Sequence, residues 1–202
     1  MVSCLFLLTA CAGATAPMPA PAAPSEDVLP QPVTSDELVG TGLVVERDGE
    51  GPVFCLGAVG DSAVPACLGP RLIGWDWGAA EQSKTLLDAT WGEYAVHGIW
   101  DGVAFTPTRD PIPLSVYDRA AYDHPRGDAD NPGSLDEAEA LRVLDDISKT
   151  YDSDSAHIEV MAPINGYTWV QVIYDDGQVQ AYLDEKYGSR AVAVTSALRP
   201  VD

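Results

Sequence analysis

Positive charge is scarce: of 202 residues only 11 are Lys or Arg, against 31 Asp and Glu, for a formal net charge of −20. Such a surface repels phosphate backbones and anionic headgroups, which excludes nucleic acid as a partner. No run of 18 apolar residues occurs, so no helix is expected to cross a bilayer. Histidine is scarce too. His97, His124 and His157 lie far apart, none in a His-x-x-x-His or Cys/His spacing, and metal held by imidazoles is not indicated. The chain lacks a Gly-x-Ser-x-Gly elbow, a Gly-rich phosphate loop with Lys and a Ser-x-x-Lys motif, and no cofactor is expected. With 31 carboxylates, acidic pairs are too common to single out a glycosidase site. What remains is ample for a packed core, since 46% of the residues are apolar.

Leu5 to Ala10 form a short apolar stretch running into Cys11, and small residues follow at once, as at the end of a secretion signal. Leu8-Thr9-Ala10-Cys11 resembles the lipobox of bacterial lipoproteins, which implies a diacylglyceryl group on the Cys11 thiol and cleavage before it. Residues 1–10 would then be the signal, and Cys4 would leave with it. Met1, Val2 and Ser3 bring none of the positive charge that opens such signals, which points to a start upstream of Met1. A buried apolar strand with an incidental Cys is the other reading, but six Pro in residues 17–32 leave nothing periodic to pack against it. Residues 11–36 therefore read as a lipidated Cys and an extended, Pro/Ala-rich tether. The resulting localisation is a lipid-anchored protein on the extracytoplasmic face of the cell membrane, with palmitate among its acyl chains.

Residues 37–113 read as a β-rich domain. Five short apolar and β-branched runs, Leu43–Glu46, Val53–Leu56, Leu72–Trp75, Tyr94–Trp100 and Val103–Thr106, are separated by turn signals. Asp101-Gly102 predicts a type I′ hairpin, Asp48-Gly49-Glu50-Gly51 a looser one, and Ala79–Asp88 a helix between the third and fourth strands. Five strands in that order predict a small OB-like barrel. Cys55 and Cys67 lie beyond the signal and are expected to pair with each other, since two Cys without neighbouring His are too few for zinc.

Cys55-Leu56-Gly57, Cys67-Leu68-Gly69-Pro70, Gly74-Trp75-Asp76-Trp77 and Trp91-Gly92-Glu93-Tyr94 together resemble a group of uncharacterised secreted and lipid-anchored actinobacterial proteins. That resemblance implies a location and no activity. Trp75, Trp77, Trp91 and Trp100 fall within 26 residues. They read either as the core of a small β domain or as an aromatic platform for sugar or peptide.

Residues 114–133 read as a linker, and residues 134–202 as an αββαβ two-layer sandwich. Ser134 with Glu137 predicts a capping box, followed by an apolar stripe at Leu135, Ala138, Leu141, Leu144 and Ile147. Two strands turn about Pro163-Ile164-Asn165-Gly166, and a helix burying Val179, Tyr182 and Leu183 stops at Gly188. A last strand, Ala191–Ser196, must then run parallel to the strand before that helix. Asp128, Asp130, Asp136 and Glu139 match positions 1, 3, 9 and 12 of a calcium loop, with Gly133 at the bend, but Pro132 offers no oxygen and no helix enters, so the match is weak.

The expected function is a non-enzymatic binding or scaffolding module of the cell envelope, anchored to the membrane through its N-terminal lipid and meeting an envelope protein or glycan. The alternative is a wall-associated enzyme or enzyme modulator that holds glycan or peptide through the Trp-rich domain.

Overall fold

The computed structural model describes residues 28–60, 62–118, 124–151 and 157–201. The proposed signal, Cys4, Cys11 and most of the proposed tether lie outside them. The described chain is mixed α+β, with a closed five-stranded barrel and a separate three-stranded sheet under two helices.

The barrel is built on two long strands, β1 (Leu38–Arg47) and β5 (Ala89–Trp100), paired antiparallel along their length. β2 (Val53–Cys55), β3 (Arg71–Leu72) and β6 (Ala104–Pro107) close the ring in the order β1-β2-β3-β6-β5, with β3 and β6 parallel. Alternation along β5 sends Tyr94, Val96 and Trp100 inward, where they meet Leu38, Val44, Phe54, Leu72 and Phe105. Gly98 lies against Phe105, where a Cβ would stand 2.5 Å from the Thr106 carbonyl oxygen, so only glycine lets β5 curve there.

Local chemistry departs from the sequence reading in two places. The type I′ turn sits at Asp48-Gly49, both at positive φ, with Glu50 N–H donating to the Arg47 carbonyl. At the later hairpin only Gly102 has positive φ, and Asp101 Oδ1 instead accepts from Val103 N–H and Ala104 N–H, each at 2.8 Å. Nor is Ala79–Asp88 a helix. It forms turns and then β4 (Lys84–Leu86), a short strand on β5 with an exposed tip. Its large apolar residues, Leu86 and Leu87, are adjacent rather than spaced by three or four, so a helix would have had little face to bury. β7 (Ile112–Pro113) adds to β5 beyond it.

In the second unit α1 (Glu137–Thr150) begins two residues later than predicted. Asp136, not Ser134, is the N-cap, accepting from Glu139 N–H at 2.8 Å while Glu139 returns the bond to Asp136 N–H at 2.9 Å. Its inner face is Ala140 and Ile147 with Val143 packed beside them. Leu141 and Ala138 of the expected stripe face outward. β8 (Ile158–Ile164) and β9 (Tyr167–Val172) turn through Asn165-Gly166, again both at positive φ. α2 (Gln178–Tyr187) buries Val179 and Leu183 and ends at Gly188, and β10 (Val192–Ser196) returns parallel to β9. The sheet order is β10-β9-β8.

The two units share cores. Ile173 and Leu198 are buried in the barrel cluster, and β11 (Arg199–Pro200) pairs with β1. Gln171 Nε2 donates to the Leu56 carbonyl at 2.8 Å. Leu29, in the stretch read as tether, is buried among the α/β residues. In the stretch read as linker, Pro125–Gly127 form a 3₁₀ turn that packs His124 on Trp169 and ties Arg126 to both carboxylate oxygens of Asp184.

Candidate functional site

Where the barrel meets β8 lies an aliphatic groove of about 770 Å³, a size usual for ligand sites. One wall is Leu68–Arg71 and Ile73, with Val103 and Ala104. The other is His157–Met161, and Ile173 and Ala58 complete the lining.

Several wall residues are held by chemistry nearby. The disulfide Cys55–Cys67, with Cα atoms 5.6 Å apart, pins the loop ahead of Leu68. Closing a loop of this size contributes about 3 kcal/mol in the chain-entropy model. Gly69 passes so close to Phe54 that a Cβ would sit 2.0 Å from its carbonyl oxygen, and Phe54 N–H donates to the Pro70 carbonyl at 2.9 Å. Leu68, caught between disulfide and glycine, stays 68% exposed. Val103 is presented by the Asp101-capped turn and is 79% exposed. The two N–H donors hold the Asp101 carboxyl below its usual range. Ile73 is fixed by its N–H to the Phe105 carbonyl at 3.0 Å. On the other wall a β-bulge between Ile158 and Val160 carries Glu159, which packs against Gly57.

Three ionisable groups border this lining. Arg71 donates to the Glu50 carbonyl. The His157 ring stands edge-on to Trp100, centroids 5.3 Å apart, and burial pushes its pKa down, so it is neutral near pH 7. Glu159 is the third. The lining contains no Ser, Thr, Cys or Lys and no aromatic ring other than the imidazole. Such a surface can hold aliphatic groups, and it offers no large aromatic face on which a sugar would stack.

The four tryptophans do not form one platform. Trp100 is 1% exposed inside the barrel, and Trp91 lies on the opposite face of β5. Trp75 and Trp77 do meet, ring centroids 5.4 Å apart, half-buried over Tyr94, with Trp77 Nε1 donating to Glu46 Oε2 at 2.6 Å. The calcium pattern is divided likewise. Asp136 and Glu139 cap α1, and Asp128 Oδ1 accepts from Asp130 N–H at 2.8 Å. Among the described residues no three His, Cys, Asp or Glu side chains are grouped to hold a metal ion.

No family model, curated protein or solved structure matches the chain. The site is therefore read from its own residues. Sequence reasoning missed Leu68, Ile73, Val103 and Val160. Their signal is an aliphatic side chain placed among turn residues, as in Cys67-Leu68-Gly69-Pro70 and Asp101-Gly102-Val103, where polar residues are the rule.

Proposed function

We propose that the chain is a lipid-anchored protein of the outer face of the cell membrane that works as a non-enzymatic binding module, with the groove between barrel and β8 as its ligand site. The observation that carries the anchoring is Leu8-Thr9-Ala10-Cys11, followed at once by a Pro-rich stretch without Lys or Arg. The Cys55–Cys67 disulfide fits an oxidising compartment. The binding role is supported by the exposed aliphatic side chains of Leu68, Ile73 and Val103, which line one groove of ligand-site volume. Two acyl chains, at about 0.8 kcal/mol per buried CH₂, would hold such a module at the membrane stably.

The test is Cys11→Ala. The variant is expected in the medium or as uncleaved precursor, whereas the parent fractionates with membrane and shows an acylated Cys11 by mass spectrometry. A parent found cut after Ala16 or Ala20 with an unmodified N-terminus would remove the anchor and leave a secreted protein.

A further inference from the structure

A sheet face shows every second residue of a strand, yet four consecutive residues of β8, Ile158 to Met161, border the groove, with His157 just ahead of them. It is thus the edge of β8 that lies along it. β8 pairs with β9 alone among the described strands. Ile164 and Tyr167 flank the two-residue turn and form a hydrogen-bonded pair, so alternation turns the main-chain groups of Met161 and Pro163 outward. Thr168, opposite Pro163, accordingly gives its N–H to Ala191 at 2.8 Å, away from β8.

Pro163 has no N–H, and the bulge at Glu159 breaks the register, so the edge can be paired only between them. Both devices discourage two copies from joining edge to edge, as does the charge of −20 that each would carry. The same charge attracts a cationic segment.

Resting on the binding reading above, we propose that the groove takes an extended peptide segment of a partner protein, aliphatic at alternate positions and bearing Lys or Arg, which adds as a strand to the edge of β8 that no other described strand pairs. Met161 would exchange main-chain hydrogen bonds with it. Aliphatic side chains on the segment's groove-facing side would meet Leu68, Ile73 and Val103.

The experiment uses the full chain with Cys11→Ser, which avoids detergent. The probes are fluorescein-labelled seven-residue peptides of the pattern Lys-Φ-Thr-Φ-Lys-Φ-Lys (Φ being Val, Ile or Leu), read by anisotropy. Each peptide has twins N-methylated at alternate residues in both registers, and labelled palmitate is run in parallel. Saturable peptide binding is expected, with at least tenfold loss in one N-methylated register and in Val103→Glu. Met161→Pro removes the outward N–H, together with a side chain packed on the α/β core, and should lose as much. Should Met161→Pro not fold, the N-methylated twins report the same bond from the ligand side. Equal binding of parent and both N-methylated twins would overturn strand addition. So would palmitate, and no peptide, binding in a manner sensitive to Val103→Glu, although the groove would then still be a binding site. A dimer in sedimentation that Val103→Glu dissolves would replace the peptide with a second copy. If neither probe binds, the proposal and the binding reading fall together.

Discussion

The imidazole of His157 touches the barrel core through Trp100 and also faces Pro30 and Pro32 of the N-terminal segment. Burial lowers its pKa, and His97 and His124 shift the same way, chiefly for the same reason. Around His97, Arg109 pushes further down while Glu37 opposes, and around His124 Arg126 lowers while a main-chain bond with Val194 raises. A histidine kept neutral in the folded state binds fewer protons than it does unfolded. Its contribution is therefore complete above its unfolded pKa of about 6.5 and is lost as pH falls below that towards the folded value. The carboxylates with lowered pKa, Glu37, Asp88 and Asp101, lose theirs only below about pH 4. Melting temperature should thus fall between pH 7.5 and 5, and His157→Asn, which tolerates the positive φ at this position, should flatten the slope. An unchanged slope in the variant would assign the effect elsewhere.

At the scale of elements, what the sequence revealed depends on how local the cause is. Asn165-Gly166, Gly188 after α2, and the parallel return of β10 were legible because each rests on a turn residue or a short apolar period. The five barrel strands were legible for the same reason, although β1 and β5 run well beyond their apolar runs because pairing with each other extends them. The start of α1 was misplaced because Ser134 and Asp136 both have an acid three residues on. Tertiary contact decides between them: Ser134 Oγ is drawn to the Arg190 carbonyl at 3.2 Å, leaving Asp136 to cap. Asp136→Ala is therefore expected to lower stability by about 1 kcal/mol, and Ser134→Ala by clearly less, in urea unfolding. The reverse order would restore Ser134 as the cap. The groove was not legible at all. Its walls come from segments far apart in the chain, Leu68–Ile73 and Val103–Ala104 against His157–Met161, whose approach depends on how barrel and sheet dock.

In the whole molecule the barrel and the α/β unit are joined by Ile173 and Leu198, which leave one unit to be buried in the other's core. Leu198→Ala removes a fully buried side chain and should cost about 2–5 kcal/mol. Near-UV circular dichroism, dominated by the barrel's tryptophans, and far-UV dichroism, weighted to α1 and α2, should both shift to lower temperature. A shift confined to the far-UV signal would show that the barrel does not use Leu198. The exposed charge acts in the opposite sense, with −7 on residues 37–113 and −10 on residues 114–202 (11 acidic and four basic, then 17 acidic and seven basic). Salt should accordingly favour the docked arrangement.

The pairing of β11 with β1 also sets an order in time. A chain made from its N-terminus could close the barrel ring once Pro107 has appeared, for by then all five strands exist. That ring would still lack Ile173 and Leu198 from its interior, and Leu38 and Val39 would lack the Pro200 and Arg199 they pair with. The first strand of the barrel thus gains its last partner only with Arg199 and Pro200, a pairing of high sequence separation that forms late. A ring formed early would therefore stay incomplete inside until the segment carrying Ile173 and Leu198 arrives, so the barrel core is expected to settle last.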